Sequence, residues 1–445
     1  MNALSASPRP PAELLLRGAH LLDPRSGLDS TRDVLIRDGR IAELAPPGTL
    51  EAPGGGEVVD AEGRHLFPAF VDPHVHLRTP GQEHKEDLDT GTRAAAAGGY
   101  CAVVAMPNTD PVIDHPALLR GLIDAAAREA RIPVGFMAAI SQGLAGEHLT
   151  DMSALRSAGA IGFTDDGKPV ASAGLLRHAL RSQILCGGFL ALHEEDPALS
   201  LDGVMHEGTV SVELGLAGIP SISESTMIAR DAQIAEAERG RVHFQHLSAR
   251  RSVEALAEAR SRGIAASGEV TPHHLLLTDE SVRSLDSSFK MNPPLRGEDD
   301  RAGLLDALRS GTIEFIATDH APHSRDEKNV PFEQAPMGTT GLESSFAVLY
   351  TELVLPGVIE LELLIDRLTA AAALIGIETP SLTPGSTANV CLIDLAAQWR
   401  IGESGYESRS SNCCFAGREV SGRVLMTVAD GAVAYRERAF AVSAA

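Results

Sequence analysis

The stretch LFPAFVDPHVHLR, residues 66–78, decides how this chain is read. Its apolar run over 66–71 has the character of a fully buried strand. Asp72-Pro73 ends that run, because proline cannot donate a ladder hydrogen bond. His74 and His76 follow at positions i and i+2. In extended chain these point to the same side, so two imidazoles share one face. Two neutral imidazoles converging at a strand end make half of a site for a borderline cation such as zinc. Alone, the pair reads equally well as two surface histidines before a turn. What tips the balance is whether other strand ends supply further ligands.

Working outward, the middle of the chain, 64–380, alternates strand and helix signals. Strand candidates are LFPAFVDPH (66–74), YCAVVAM (100–106), IPVGFMAAI (132–140), AIGFTDD (160–166), GFLALH (188–193), RVHFQH (241–246), IAASGEV (264–270) and IEFIATD (313–319). Helical stretches such as LDTGTRAAAA, the run 116–130 behind an Asp114 N-cap, and RDAQIAEAER lie between them. Apolar strands with helical crossovers predict an α/β chain with a (β/α)8 TIM barrel. A doubly wound open sheet is the alternative, but no G-x-G-x-x-G follows a strand. The irregular segment 196–230 reads as a decorated loop, and the polar stretch 323–338 as a lid that orders over a ligand.

Both ends of the chain look alike. Residues 13–63 carry short strands with Asp38-Gly39 as a type I′ turn signal, and 381–445 repeats the pattern with Asp430-Gly431. The economical expectation is a small β-sandwich domain assembled from both termini, with the barrel inserted between; two separate β appendages are the competing reading. Residues 1–12 are expected as a disordered tail.

Composition limits the function classes. With 38 basic and 60 acidic residues the net charge is −22, which opposes nucleic acid and anionic membrane. No apolar run is long enough to span a membrane. Five cysteines, without C-x-x-C, indicate neither a disulfide framework nor a cysteine zinc site, so a reducing cytoplasm is the expected setting.

In a barrel, functional groups gather at the carboxyl ends of the strands. Those ends carry His74 and His76, then Asp165-Asp166, His193, His246, and Asp319 followed by His320 and His323. An acid after a strand is commonly a cap, and a lone histidine is commonly a satisfied polar residue. Four histidines and two aspartates converging together point instead to a metal cluster. Six ligands exceed the needs of one catalytic zinc and suit two cations sharing a carboxylate and an activated water. One aspartate then remains to move protons, which equips the site for metal-assisted hydrolysis of an amide-like bond.

HVHLR at 74–78, MPNT at 106–109, FTDDG at 163–167, the strand-terminal His193 and His246, TPHHLLL at 271–277, KMNPPLR at 290–296 and ATDHAPH at 317–323 resemble the amidohydrolase superfamily. More narrowly they resemble bacterial dihydroorotases of the class I type, over residues 13–438. The resemblance implies reversible, zinc-dependent hydrolysis of (S)-dihydroorotate to N-carbamoyl-L-aspartate in pyrimidine biosynthesis, with two zinc ions per subunit. It implies His74 and His76 on one zinc, His193 and His246 on the other, and Asp319 as a metal ligand and the catalytic base, then acid. Asp166 takes the bridging position that many relatives give to a carboxylated lysine, with Asp165 its rival. Arg78, Asn108 and His323 match contacts to the substrate carboxylate. Asn292 and the backbone of Met337 and Gly338 match contacts to the ring, and His76 also lines the site. His273 and His274 take no ligand role. Glu194 departs from the family pattern and is expected to add negative charge beside the metals. A homodimer, and docking with aspartate transcarbamoylase, complete what the resemblance implies. A hydantoinase or allantoinase, and a catalytically silent scaffold of a transcarbamoylase, are the rival readings.

Overall fold

The computed structural model describes residues 4–438, 440 and 443–444. At its centre parallel strands are arranged as a ring. Phe70–Val75 pairs with Tyr100–Ala105, which pairs with Val134–Phe136. Leu190–Leu192, Val242–Phe244, Ala266–Val270 and Phe315–Ile316 form a second parallel sheet in that order. Hydrogen bonding is not continuous round the ring. Phe163 stands in the fourth position with one bridge to Ala138 and one to Leu190, and a single bridge from Val75 to His320 spans the last gap. Every residue of Phe70–Val75 and of Tyr100–Ala105 is buried, which is why these strands are apolar throughout rather than alternating.

Helices follow the strands, and each start has a local cause. Leu88–Ala97 opens on Asp87, whose side chain accepts from Thr90 N–H while Thr90 returns the bond, a capping box. Pro116–Glu129 is capped by His115, not by Asp114 as expected: the His115 ring accepts from Ala117 N–H, and Asp114 instead accepts from Gly143 N–H at 2.9 Å. Proline at the first helical position explains the one-residue shift, since it needs no donor partner there.

The chain ends share one sheet. Leu14–Asp23 pairs with Leu28–Arg37 on one side and with His65–Pro68 on the other; His65–Pro68 then pairs with Val390–Arg400, which continues to Glu419–Ala429 and Ala432–Arg436. Separate appendages are thereby excluded. The expected sandwich of two sheets is, by hydrogen bonding, one continuous sheet around a core of its own, which includes Leu14, Leu16, Ile36, Leu66, Val390 and Met426. Both predicted type I′ turns are present, with φ of 49° and 69° at Asp38 and Gly39 and of 48° and 74° at Asp430 and Gly431. Their tips meet: a Cβ on Gly39 would lie 2.7 Å from Gly431 O, so both positions require glycine for space as well as for φ.

Two expectations change. From residue 4 onward the predicted tail is ordered: Ser5 exchanges backbone hydrogen bonds with Val134 at 3.0 and 2.8 Å, and Ala12 N–H reaches Gly431 O at 2.8 Å. Residues 1–3 lie outside the described residues. The tail lacks an apolar pattern, yet the unpaired backbone edge of Val134–Phe136 gives its peptide groups partners. Segment 196–230 is a folded insertion, with helices Pro197–Ser200 and Thr209–Leu214 and a two-residue ladder between Met205–His206 and Gly218–Ile219. Its Met205 and Val210 share a small core with Val282 and with Phe332 of the stretch 323–338. No helix among the described residues is long and apolar enough to cross a membrane.

Candidate active site

The carboxyl ends of the strands bring His74, His76, Asp166, His193, His246 and Asp319 together. His76 Nε2 lies 3.0 Å from Asp319 Oδ1, and His74 Nε2 lies 3.5 Å from the same atom. Asp166 faces both sides of the cluster: its Oδ1 is 3.4 Å from His74 Nε2 and 3.6 Å from His246 Nε2, and its Oδ2 is 3.5 Å from His76 Nε2. His193 Nδ1 stands 3.0 Å from His246 Nε2. Two overlapping ligand groups result, His74 with His76 and Asp319, and His74 with Asp166 and His246. The Asp319 side chain is 10% exposed against 3% for Asp166, so Asp319 is the carboxylate nearer the open cleft. His246 and Asp319 adopt φ of 33° and 46°. Such strained backbone persists where the surroundings over-determine it, commonly at functional sites.

These residues fit a cation. His74 is fully buried and its Nε2 has no hydrogen-bond partner. Its Nδ1 meets Glu269 Oε1 at 2.6 Å, which places the proton on Nδ1 and aims the Nε2 lone pair into the cluster. His76 is set the same way by Asn108 Oδ1 at 2.9 Å from Nδ1. Burial would lower the pKa of His74, but Asp166, Glu269 and Asp319 outweigh it and raise it well above its ordinary range, so without a cation the Nε2 position attracts a proton in its place. Burial likewise opposes ionisation of Asp166, and His74 and its neighbours overcome it, keeping the carboxylate charged. The cluster is a buried surplus of negative charge, and such charge requires a cation close by.

Asp165 takes no part in this. Its Oδ1 accepts from Ile140 N–H at 2.8 Å and from Ser141 N–H at 2.9 Å, and Ser141 Oγ bonds its other oxygen. It holds the 140–141 turn. Lys168 is exposed beyond that turn. Glu194 also differs from expectation: it is buried, and burial with Asp231 beside it pushes its carboxyl well above the usual range. Glu195 is the acid that approaches the ligands, with Oε2 3.8 Å from His193 Nε2.

Beside the cluster opens a cleft of about 240 Å³, lined by Arg78, Asn108, Asn292, His323, Met337 and Gly338 together with His76, His193, Asp166 and Asp319. Arg78 is buried, and among the described residues no carboxylate lies within ion-pair distance of it. Its Nε donates to Pro322 O at 3.1 Å and its Nη2 faces His323 Nε2 at 3.5 Å. Burial lowers its pKa to about 10, so it stays charged. Asn108 is occupied behind the ligands, holding His76 by Oδ1 and Asp166 Oδ2 by Nδ2 at 3.2 Å. Asn292 Nδ2 reaches His193 Nε2 at 3.3 Å, while its buried Oδ1 lacks a partner. Gly338 N–H is committed to Lys290 O at 2.8 Å and Met337 O accepts from His323 Nε2 at 2.9 Å, so at 337–338 the carbonyls alone keep a free lone pair. His273 and His274 are buried outside this lining, and His274 is bonded to Thr271 and to Pro293 O.

Sequence reasoning missed the residues that orient the ligands. Glu269 bonds His74 by one oxygen and His243 Nε2 by the other at 3.0 Å. Asp72, read only as a strand end, accepts from His74 N–H at 3.0 Å and from Thr318 Oγ1 at 2.6 Å. Both are lone acids in apolar strands, and that was the available signal: a buried charge needs a partner.

Residues 63–252 match a family model described as Dihydro-orotase-like. A curated protein of Anaeromyxobacter dehalogenans named dihydroorotase is 44% identical over 430 residues, covering 95% of this chain and 98% of its own length. One of Pelotomaculum thermopropionicum with the same name is 42% identical over 427 residues, covering 96% and 99%. Among solved structures, the L-hydantoinase (dihydropyrimidinase) of Arthrobacter aurescens superposes with a TM-score of 0.84 at 22% identity, covering 95% of this chain and 96% of that one. The dihydropyrimidinase of Brevibacillus agri gives 0.81 at 23%, covering 97% and 96%. At that identity the structures speak for the fold alone, an α/β barrel.

Proposed function

The chain belongs to the dihydroorotase family, and from that premise we propose how it works: two zinc ions per subunit, a bridging Asp166, and Asp319 as the group that carries the proton. It is a cyclic amidohydrolase, and the reaction is reversible hydrolysis of (S)-dihydroorotate to N-carbamoyl-L-aspartate. His74 and His76 would hold one ion and His193 and His246 the other, with Asp166 between them. Zinc in such a site acidifies a water and polarises the carbonyl under attack.

The remaining steps fall to the chain itself. The substrate carboxylate lies on Arg78, whose planar fork donates to two oxygens. His323 stands beside that guanidinium. The resemblance gives Asn108 to the same carboxylate; its amide nitrogen also bonds Asp166 Oδ2 at 3.2 Å and Asp166 O at 3.4 Å. The unpaired Oδ1 of Asn292 accepts a ring N–H, and the free lone pairs of Met337 and Gly338 can do the same. Asp319, the more accessible carboxylate, takes the proton of the attacking water and delivers it to the departing ring nitrogen as the amide bond breaks. The reverse cyclisation uses the same groups.

The observation that carries this reading is Arg78: a buried guanidinium with no carboxylate within ion-pair distance among the described residues, on the rim of a cluster that demands cations. A neutral cyclic ureide such as hydantoin leaves it unpaired, whereas dihydroorotate supplies the missing anion. The class I type, a cytoplasmic setting, a homodimer and docking with aspartate transcarbamoylase belong to the proposal on resemblance alone. The test is metal analysis of the purified protein with ultraviolet monitoring of dihydroorotate, hydantoin and allantoin. Two zinc ions per chain, chelator-sensitive turnover and kcat/KM for dihydroorotate at least about a hundredfold above the others are expected, since a buried charge left unpaired costs that much. Hydantoin hydrolysed as fast as dihydroorotate would overturn it.

A further inference from the structure

We infer that Asn412 is a positioning residue for substrate binding, a role that rests on the carboxylate reading above. It sits on the segment joining Val390–Arg400 to Glu419–Ala429, which leaves the terminal sheet and returns to the mouth of the barrel. Asn412 is buried. Its Oδ1 accepts from His323 N–H at 3.0 Å, and its Nδ2 donates to Ala321 O at 3.1 Å and to Gly338 O at 3.2 Å. One amide thus ties together two backbone stretches that wall the cleft. Both of its N–H groups and its oxygen are used, which a residue that merely filled space would not require.

Between the two points it holds on the first stretch lies Pro322, whose carbonyl receives Arg78 Nε. A shift of 321–323 therefore moves the anchor of the guanidinium and the His323 ring together. Asn412 does not line the cleft, so it acts through these groups. A misplacement of about 1 Å in such a clamp can cost on the order of a hundredfold. The rest of the segment is fastened elsewhere. Arg409 N–H reaches Glu86 Oε1 at 3.1 Å, and Ser410 Oγ donates to Lys85 O at 2.6 Å. Ser410 anchors the segment without touching 321–323 and serves as the control.

The experiment is steady-state kinetics with dihydroorotate on the zinc-loaded full chain, with zinc content and thermal unfolding measured alongside. Asn412→Ala is expected to raise KM about tenfold or more while kcat falls less than about threefold. Asn412→Asp, which keeps the volume but loses both donors, should do the same and decides the matter if the alanine variant does not fold. Ser410→Ala should leave KM unchanged. Wild-type KM in both Asn412 variants, or an equal rise in Ser410→Ala, overturns the inference. Arg78→Gln separates the two levels. If it raises KM while the Asn412 variants do not, the inference fails alone. If it leaves KM unchanged, the carboxylate reading fails and takes the inference with it.

Discussion

The two halves of the cleft are built on opposite plans. The cation half is a surplus of carboxylate, Asp166, Asp319 and Glu269, around imidazoles at strand ends. The anion half carries positive charge, Arg78 with Lys328 near His323, on loops held by backbone hydrogen bonds, while Lys85 beside them is paired with Glu327 at 2.9 Å. Among the described residues, Arg78 in the second half has no carboxylate within ion-pair distance. Strand ends supply rigid positions for ions that tolerate little error in distance. Loops supply curved walls for a flat organic anion, and they need outside anchors such as Asn412 because no ladder holds them.

The sharpest way to break this division is to change one carboxylate in the cation half. Asp319→Asn keeps the shape but removes the base, so turnover should fall about a thousandfold or more with zinc content largely kept. Near-normal turnover in that variant would show that the proton moves through another group. Glu269→Gln should come next. It leaves the ligands in place but weakens the hold on the His74 tautomer, and zinc affinity measured by competition with a chelator should drop roughly ten- to a hundredfold. Unchanged affinity would mean that burial alone orients His74. The mildest effect on chemistry is expected at the neighbouring acid. Asp165→Ala leaves two buried N–H groups unpaired at 140–141, which should lower stability by about 1–3 kcal/mol in denaturant unfolding while kcat per folded chain stays within about twofold. Loss of zinc in that variant would erase the distinction between Asp165 and Asp166.

The cation half was far more legible in the sequence than the anion half. His74, His76, His193, His246 and Asp319 each end an apolar run, so the period of the strand places them at one mouth. The turn signals Asp38-Gly39 and Asp430-Gly431 were equally readable, because only a few residue types accept positive φ at two successive positions. Asp165 and Asp166 were not separable by pattern: successive residues in a turn leave the strand alternation, and hydrogen bonds to Ile140 and Ser141 decide which one turns away. Glu194 and Glu195 are likewise successive, and Glu195 is the one within ion-pair distance of His193.

By itself, then, the order of residues determined the strand–helix alternation, the terminal hairpins and the candidate ligand set, since local period and turn chemistry act over a few neighbours. Tertiary structure alone decided that Ser5 pairs with Val134, that Glu269 reaches His74 across 195 residues, and that Asn412 holds His323 across 89. Those contacts depend on distant backbone brought together by the core, and a hydrogen bond between remote segments leaves no periodic trace in either of them.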